Sequence, residues 1–263
     1  MTEQTVSTSI DARGVATVTL NRPDKHNAFD DAVIAELRSA FDGLAGRDDV
    51  RVVVLASQGK SFSAGADLGW MKRMAEYDYQ DNHRDAQALA GMLQALAALP
   101  QPTLARVQGA AFGGAVGLVS CCDMAVASET ASFCLSEVKI GLIPATISPY
   151  VIRAMGERAA RRYFTTAERF SASEAQRIGL VSEVSTADGI DEAVESMVST
   201  LLQNGPAAVR ASKQLVVDFA GREISSEIIE DSCGRIARIR TSAEGQEGLA
   251  SFLDKRKPAW LDD

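Results

Sequence analysis

Val52-Val53-Val54-Leu55 is the most restrictive stretch of this chain. Side chains alternate across a strand, so four branched aliphatics in succession leave no polar face for water. Such a strand needs cover on both sides, which a parallel sheet flanked by helices provides. The preceding sequence supplies companions for it. Val6 to Ile10 and Val15 to Leu20 alternate on either side of Asp11-Ala12-Arg13-Gly14, a pattern that predicts a β-hairpin. After the polar loop Asn21 to Asn27, Asp30 stands as a helix N-cap before Val33, Ile34, Leu37, Phe41 and Leu44 at helical spacing.

The same alternation continues downstream. Ser57 to Gly65 is a small-residue loop feeding a short helix with Trp70, Met71 and Met74. A longer helix is expected over Tyr79 to Leu99, ended by Pro100 and Pro102. Thr103 to Val107 reads as a strand, Gly109 to Gly114 as a glycine-rich turn, Ala115 to Cys122 as a buried helix and Met124 to Ala127 as a further strand. Strand, loop and helix in repetition predict an α/β fold with a largely parallel sheet. From about Ser148 the pattern changes to successive amphipathic helices, with the strand-like Leu180 to Val184 as the exception. The expected division is a core over residues 1–190 and a helical region over 191–263.

Composition narrows the function classes. The 263 residues carry a formal net charge of −8, which argues against nonspecific nucleic-acid binding. No apolar run approaches the roughly 20 residues of a membrane helix. Met1 to Ile10 lacks the basic and apolar regions of a signal peptide, so a cytoplasmic protein is expected. The four cysteines, Cys121, Cys122, Cys134 and Cys233, form no C-x-x-C pair, so buried reduced thiols rather than a metal site are expected. With only His26 and His83 present, a catalytic histidine does not lead. His83 falls in a polar helical segment and is expected to be exposed.

Three stretches carry chemistry. Phe62-Ser63-Ala64-Gly65-Ala66-Asp67-Leu68 places small residues between a buried strand and a helix, where backbone can approach a ligand and helix-start N–H groups lack partners. An ordinary tight strand-to-helix connection would look the same. The turn through Gly113-Gly114 repeats that logic after a second strand, and free N–H groups there suit an oxyanion; close helix packing is the plainer reason for its glycines. In Phe133 to Pro144 a single acid, Glu137, lies among apolar residues before a Gly/Pro turn. Burial would raise its pKa and suit it to alternate between acid and base. Pairing with Lys139 at the surface is the alternative.

Together these stretches resemble the enoyl-CoA hydratase/isomerase, or crotonase, family, from Leu20-Asn21-Arg22-Pro23 to Phe252-Leu253-Asp254-Lys255-Arg256. The resemblance implies a ClpP/crotonase-like fold of repeated ββα turns with a C-terminal helical trimerisation region, assembled as a homotrimer or hexamer. It implies that Ala66 and Gly114 donate the two oxyanion-hole N–H groups to an acyl-CoA thioester. Glu137 matches the second of two glutamates used by many hydratases. The first would fall three residues after Gly114, where this chain has Gly117. A single acid is familiar in the family's double-bond isomerases, which makes isomerisation the alternative to hydration.

A finer resemblance favours hydration. Gly109 to Asp123, Phe133 to Phe170 and Ala237 to Gly248 look like bacterial methylglutaconyl-CoA hydratases, including relatives acting on isohexenylglutaconyl-CoA. Their substrates, met in leucine and related branched acyl-CoA catabolism, carry a second carboxylate on the branch at C3. Lys72, Arg73 and Lys139 are candidates to receive it, and the carboxylate itself is expected to replace part of the absent acid's work. The resemblance also assigns CoA contacts to Lys25, Ala28, Ala64 and Asp67. It assigns Phe252 and Lys255 to a C-terminal helix that reaches CoA and often a neighbouring subunit. CoA belongs to the substrate, and no other cofactor is implied. RNA binding, a secondary property within that hydratase group, is a weaker alternative.

Overall fold

The computed structural model describes residues 4–261. Residues 1–3 of the polar N-terminal segment and residues 262–263 of the helical region lie outside the described residues. Strand β1 (Val6–Ile10) pairs antiparallel with β2 (Val15–Leu20), Val6 opposite Leu20. The Asp11 carboxylate accepts the Arg13 and Val15 N–H groups and closes the turn, as the hairpin pattern predicts. Helix α1 (Asp31–Ala45) starts at Asp30, whose carboxylate accepts the Val33 N–H at 2.9 Å. Then come β3 (Val52–Ser57), α2 (Leu68–Met74), α3 (Tyr79–Ala97), β4 (Thr103–Val107) and β5 (Ala111–Phe112). They are followed by α4 (Gly114–Cys121), β6 (Met124–Ser128), β7 (Ser132–Cys134), α5 (Ser148–Thr166), β8 (Phe170–Ser171), α6 (Ala172–Arg177) and β9 (Glu183–Ser185). Helices α7 (Ile190–Leu202), α8 (Pro206–Phe219), α9 (Ser226–Thr241) and α10 (Ala243–Leu253) follow, and a 3₁₀ turn spans Ala259–Leu261.

The main sheet has the order β1-β2-β3-β4-β6-β9, parallel from β2 onward. All six residues of β3 are buried, and their alternation explains why. Val53 and Leu55 face the large core with Leu37 and Phe41 of α1, Leu93 and Leu96 of α3 and Val116 of α4. Val52 and Val54 face the other way, with Leu104 and Val126, and meet Ile190, Val194 and Val198 of α7. Each such side chain contributes about 1.5–3 kcal/mol by leaving water. The first helix past residue 190 therefore closes the second face of the sheet, while α8 and α9 contribute no buried residue.

Some local expectations need correction. Leu180 and Val181 are buried but not in a strand: their N–H groups bond the Ala175 carbonyl and fold the chain back over α6, so β9 begins only at Glu183. Strands β5, β7 and β8 form a second, three-stranded sheet that the sequence reading does not foresee. Cys121 and Cys134 are buried, but Cys233 is exposed on α9. Among the described residues no helix is long and apolar enough to cross a membrane.

Candidate active site

Because β3 and β4 are parallel neighbours, the loops that follow them leave the same end of the sheet. A parallel bridge stitches these loops together: the Ser63 N–H donates to the Ala110 carbonyl, and the Phe112 N–H to the Ser63 carbonyl, both at 3.0 Å. Gly65, at φ 94°, lies so near the Phe112 carbonyl that a Cβ would stand 3.2 Å from its oxygen. Phe29 adds a second bridge. Its N–H donates to the Gly65 carbonyl and its carbonyl accepts the Asp67 N–H, each at 2.7 Å. The intervening Ala66 N–H faces away from Phe29 and has no acceptor among the described residues.

The ring of Phe29 meanwhile lies under Gly114, where a Cβ would come within 3.1 Å of a ring carbon. Gly113, at φ 55° and ψ −122°, donates its N–H to the Cys134 carbonyl at 2.8 Å and turns the chain into α4. Gly114 is the first residue of that helix. Its N–H has no partner within the helix and none elsewhere among the described residues. Phe29 thus fixes both loops through its backbone and its ring.

Glu137 follows β7 in a single 3₁₀ turn ended by Gly141, which adopts φ 76°. Its Oε1 lies beside Gly113, 3.2 Å from where a Cβ would be. Its Oε2 is buried without any hydrogen-bond partner among the described residues. Burial pushes the carboxyl above its ordinary range. No ion pair joins it to Lys139 among the described residues, so the surface-pair alternative does not hold. A partnerless buried acceptor costs about 1–3 kcal/mol, and an acid in that condition is suited to exchange a proton with a ligand.

Ala64, Ala66, Gly114 and Glu137 all line one cleft of about 570 Å³, walled by Trp70 and Ile147 among others. That volume suits an acyl group and part of its carrier. A groove of about 700 Å³ between α1 and α3 is larger, but the charges on its wall are engaged: Arg38 bonds Asp42 at 2.6 Å, Asp31 pairs with Arg73, and Asp85 accepts the Trp70 indole N–H. Among the described residues no cluster of three or more His, Cys, Asp or Glu could hold a metal ion.

Other predicted residues have different surroundings. Asp67 caps α2, accepting the Gly69 N–H at 2.7 Å and the Trp70 N–H at 3.2 Å, with Arg22 and Lys25 at 3.4 and 3.6 Å. Burial acts to raise its pKa, but those N–H groups and cations hold it below the ordinary value. Its carboxylate is therefore committed within the protein. Ala28 is buried, and its carbonyl accepts from Arg22, which also binds Asp30 at 2.7 Å. Lys25 is half-exposed beside this network. Phe252 is 82% exposed at the end of α10, and neither it nor Lys255 lines the cleft. Of the three cations considered for a distal carboxylate, Lys72 and Arg73 are exposed on α2, and Arg73 pairs with Asp31. Lys139 alone lines the cleft.

The structure adds residues that the sequence reading does not single out. Asp85 lines the cleft and accepts the Trp70 indole N–H at 3.2 Å. Burial raises its pKa against the effect of that hydrogen bond. An available signal was its place four and seven residues before Leu89 and Met92, an acid on the apolar stripe of α3. Ile147 is the second addition. It fills the space over Gly117, where a Cβ would lie 2.3 Å from its Cγ2.

A family model described as enoyl-CoA hydratase/isomerase matches residues 11–263. An enoyl-CoA hydratase from Shewanella pealeana of known structure is 46% identical, with 98% of this chain and 97% of that one covered and a TM-score of 0.94. The structure of an enoyl-CoA hydratase from Mycobacterium smegmatis gives 35% identity, coverage of 98% and 100%, and a TM-score of 0.93. The enoyl-CoA hydratase ACTT6 of Alternaria alternata is 35% identical over 254 residues, 94% of this chain and 81% of its own length.

Proposed function

The chain belongs to the enoyl-CoA hydratase/isomerase family, and from that premise we propose that it hydrates a 3-methylglutaconyl-CoA-type thioester at the C2–C3 double bond. The fold is the crotonase fold, and the substrate class is acyl-CoA. In the proposed reaction the thioester oxygen accepts the Ala66 and Gly114 N–H groups. Water adds its oxygen to C3, and negative charge builds on the thioester oxygen where those donors stabilise it. Glu137 as carboxylate takes the proton from water; as acid it returns a proton to C2, so the carboxyl ends as it began. Burial brings its protonated and ionised forms closer in energy, which serves both halves of the cycle.

The observation that carries this reading is the partnerless Glu137 Oε2, in the same cleft as two undonated backbone N–H groups. Lys139, the lone cation on the cleft wall among the described residues, supports a substrate with a distal carboxylate. That carboxylate, or a water it holds, takes over part of the role of the acid absent at Gly117. Lys25, Ala28, Ala64 and Asp67 form the CoA rim, Ala28 and Asp67 through their backbone. Residues 191–263 build a trimer or a pair of trimers around the 1–190 core, carrying Phe252 and Lys255 to a neighbouring subunit's CoA. The exposed Val216, Val217, Ile229 and Leu253 support that assembly. The reaction calls for no cofactor beyond the CoA of the substrate, in a cytoplasmic setting.

Two measurements test the reading. Glu137→Gln should lower kcat for hydration by about 10²–10⁴; a normal rate would overturn the assignment. Wild-type protein should prefer 3-methylglutaconyl-CoA to crotonyl-CoA, and Lys139→Met should erase that preference. Equal efficiency of the wild type on both would refute the distal-carboxylate role. The hydrocarbon of Ile147 over Gly117 favours a second reading, isomerisation with Glu137 as the single base. Labelled oxygen from water enters the product only in hydration.

A further inference from the structure

Gly117 lies buried in α4, one turn beyond Gly114 and on the same side of the helix. A Cβ at this position would stand 2.3 Å from Ile147 Cγ2, 2.8 Å from Ile147 Cβ and 3.6 Å from Leu93 Cδ2. Atoms do not approach that closely, so the Ile147 side chain occupies the volume that any side chain at residue 117 would need. Ile147 is itself held. It is 2% exposed at the start of α5, and its carbonyl accepts the Tyr150 and Val151 N–H groups at 3.1 Å. Its β-branched side chain has little rotamer freedom with which to withdraw. It also lines the cleft together with Gly114 and Glu137.

We propose that Ile147, seated in the notch left by Gly117, is the specificity-determining residue of the acyl end of the cleft. It closes the wall beside Gly114 and Glu137 with hydrocarbon and limits the C3 substituent on that side to methyl size. The pair is matched: position 117 accepts a side chain only when residue 147 is cut back. This inference rests on the acyl-thioester reading of the site, but not on whether the site hydrates or isomerises.

Saturated acyl-CoAs test it, because they can undergo neither reaction. Calorimetric binding of 3-methylbutanoyl-CoA and 3-ethylpentanoyl-CoA should show that wild-type protein prefers the smaller ester. Ile147→Ala should shift the ratio toward the larger one by about fourfold for each added carbon it admits, and Ile147→Val by less. Ile147→Val keeps the fold even where Ile147→Ala weakens it. An unchanged ratio in Ile147→Val together with Ile147→Ala, or in Ile147→Val alone if the alanine variant does not fold, overturns the proposal. Wild-type protein that binds neither ester overturns the acyl-thioester reading along with it. Gly117→Ala should lower the Tm, and Ile147→Gly should lower it too, but the loss in the double variant should be smaller than the sum of the two. A Gly117→Ala protein as stable as wild type would refute the matched notch.

Discussion

Replacing Glu137 by glutamine should make the protein more stable at neutral pH while disabling it. The native carboxyl keeps its proton to a higher pH than the unfolded chain, whose value is near the ordinary 4.5. Between those two values the folded state binds more protons, so wild-type stability falls as pH rises through the window. Above the native pKa the penalty is fully present; below the unfolded pKa it is gone. Glutamine does not ionise and escapes this trend. One oxygen buried without a partner costs about 1–3 kcal/mol, but the glutamine amide also lacks a partner and recovers only part of it. The net expectation is about 1 kcal/mol at neutral pH, or about 2–4 °C in Tm for a chain of this size. Unfolding midpoints of both proteins between about pH 4 and pH 8, with turnover measured in parallel, test the argument. A variant that is less stable at neutral pH, or a gap that does not change with pH, would refute it.

Other expectations follow from the surrounding geometry. Gly114→Ala places a methyl 3.1 Å from the Phe29 ring; the resulting shift of the N–H should cost about 10²–10³ in kcat, read by steady-state turnover with far-ultraviolet dichroism as a fold control. Asp30→Ala removes both the cap on Val33 and one of the partners of Arg22. It should lower stability by about 1–2 kcal/mol in urea, with Asp30→Asn retaining the cap. Lys213 bonds the Gln101 carbonyl at 2.9 Å and Asp123 at 2.7 Å, joining α8 to the sheet. Lys213→Met should therefore cost about 2–3 kcal/mol, and an unchanged unfolding midpoint would show that joint to be immaterial.

The layered fold is legible wherever a single strand or helix carries its own periodicity. Val52 to Leu55 announces burial on both faces, and the Asp11 turn and Asp30 cap mark their element boundaries. The second sheet is not legible, because β5 and β8 have two residues each, too few for any period to register. The site divides in the same way. Glycine and alanine at the loop ends point to exposed N–H groups, and an isolated acid among apolar residues points to Glu137. Which polar groups satisfy one another is a tertiary matter. Asp67 follows Ala66, the proposed oxyanion donor, in sequence, yet its carboxylate serves the start of α2. Asp85 reaches the cleft from a helix whose pattern reads as ordinary, and Ile147 from the turn just before α5. Gly117 signals an absent side chain, but only packing reveals that Ile147 has taken the space.

The double engagement of Phe29 bears on how the site comes into being during folding. One donor is set by its backbone bridge to the segment at Ala66 and the other by its ring beneath Gly114. These three segments are remote in sequence and meet only after the parallel crossovers between β2, β3 and β4 have closed. Contacts of that kind form slowly, since the chain entropy of long loops is lost before the pairing stabilises them. Helical signal should return early in refolding, and the capacity to bind an acyl thioester should return with the final phase. A partly folded chain consequently has no diminished version of this site; it has none.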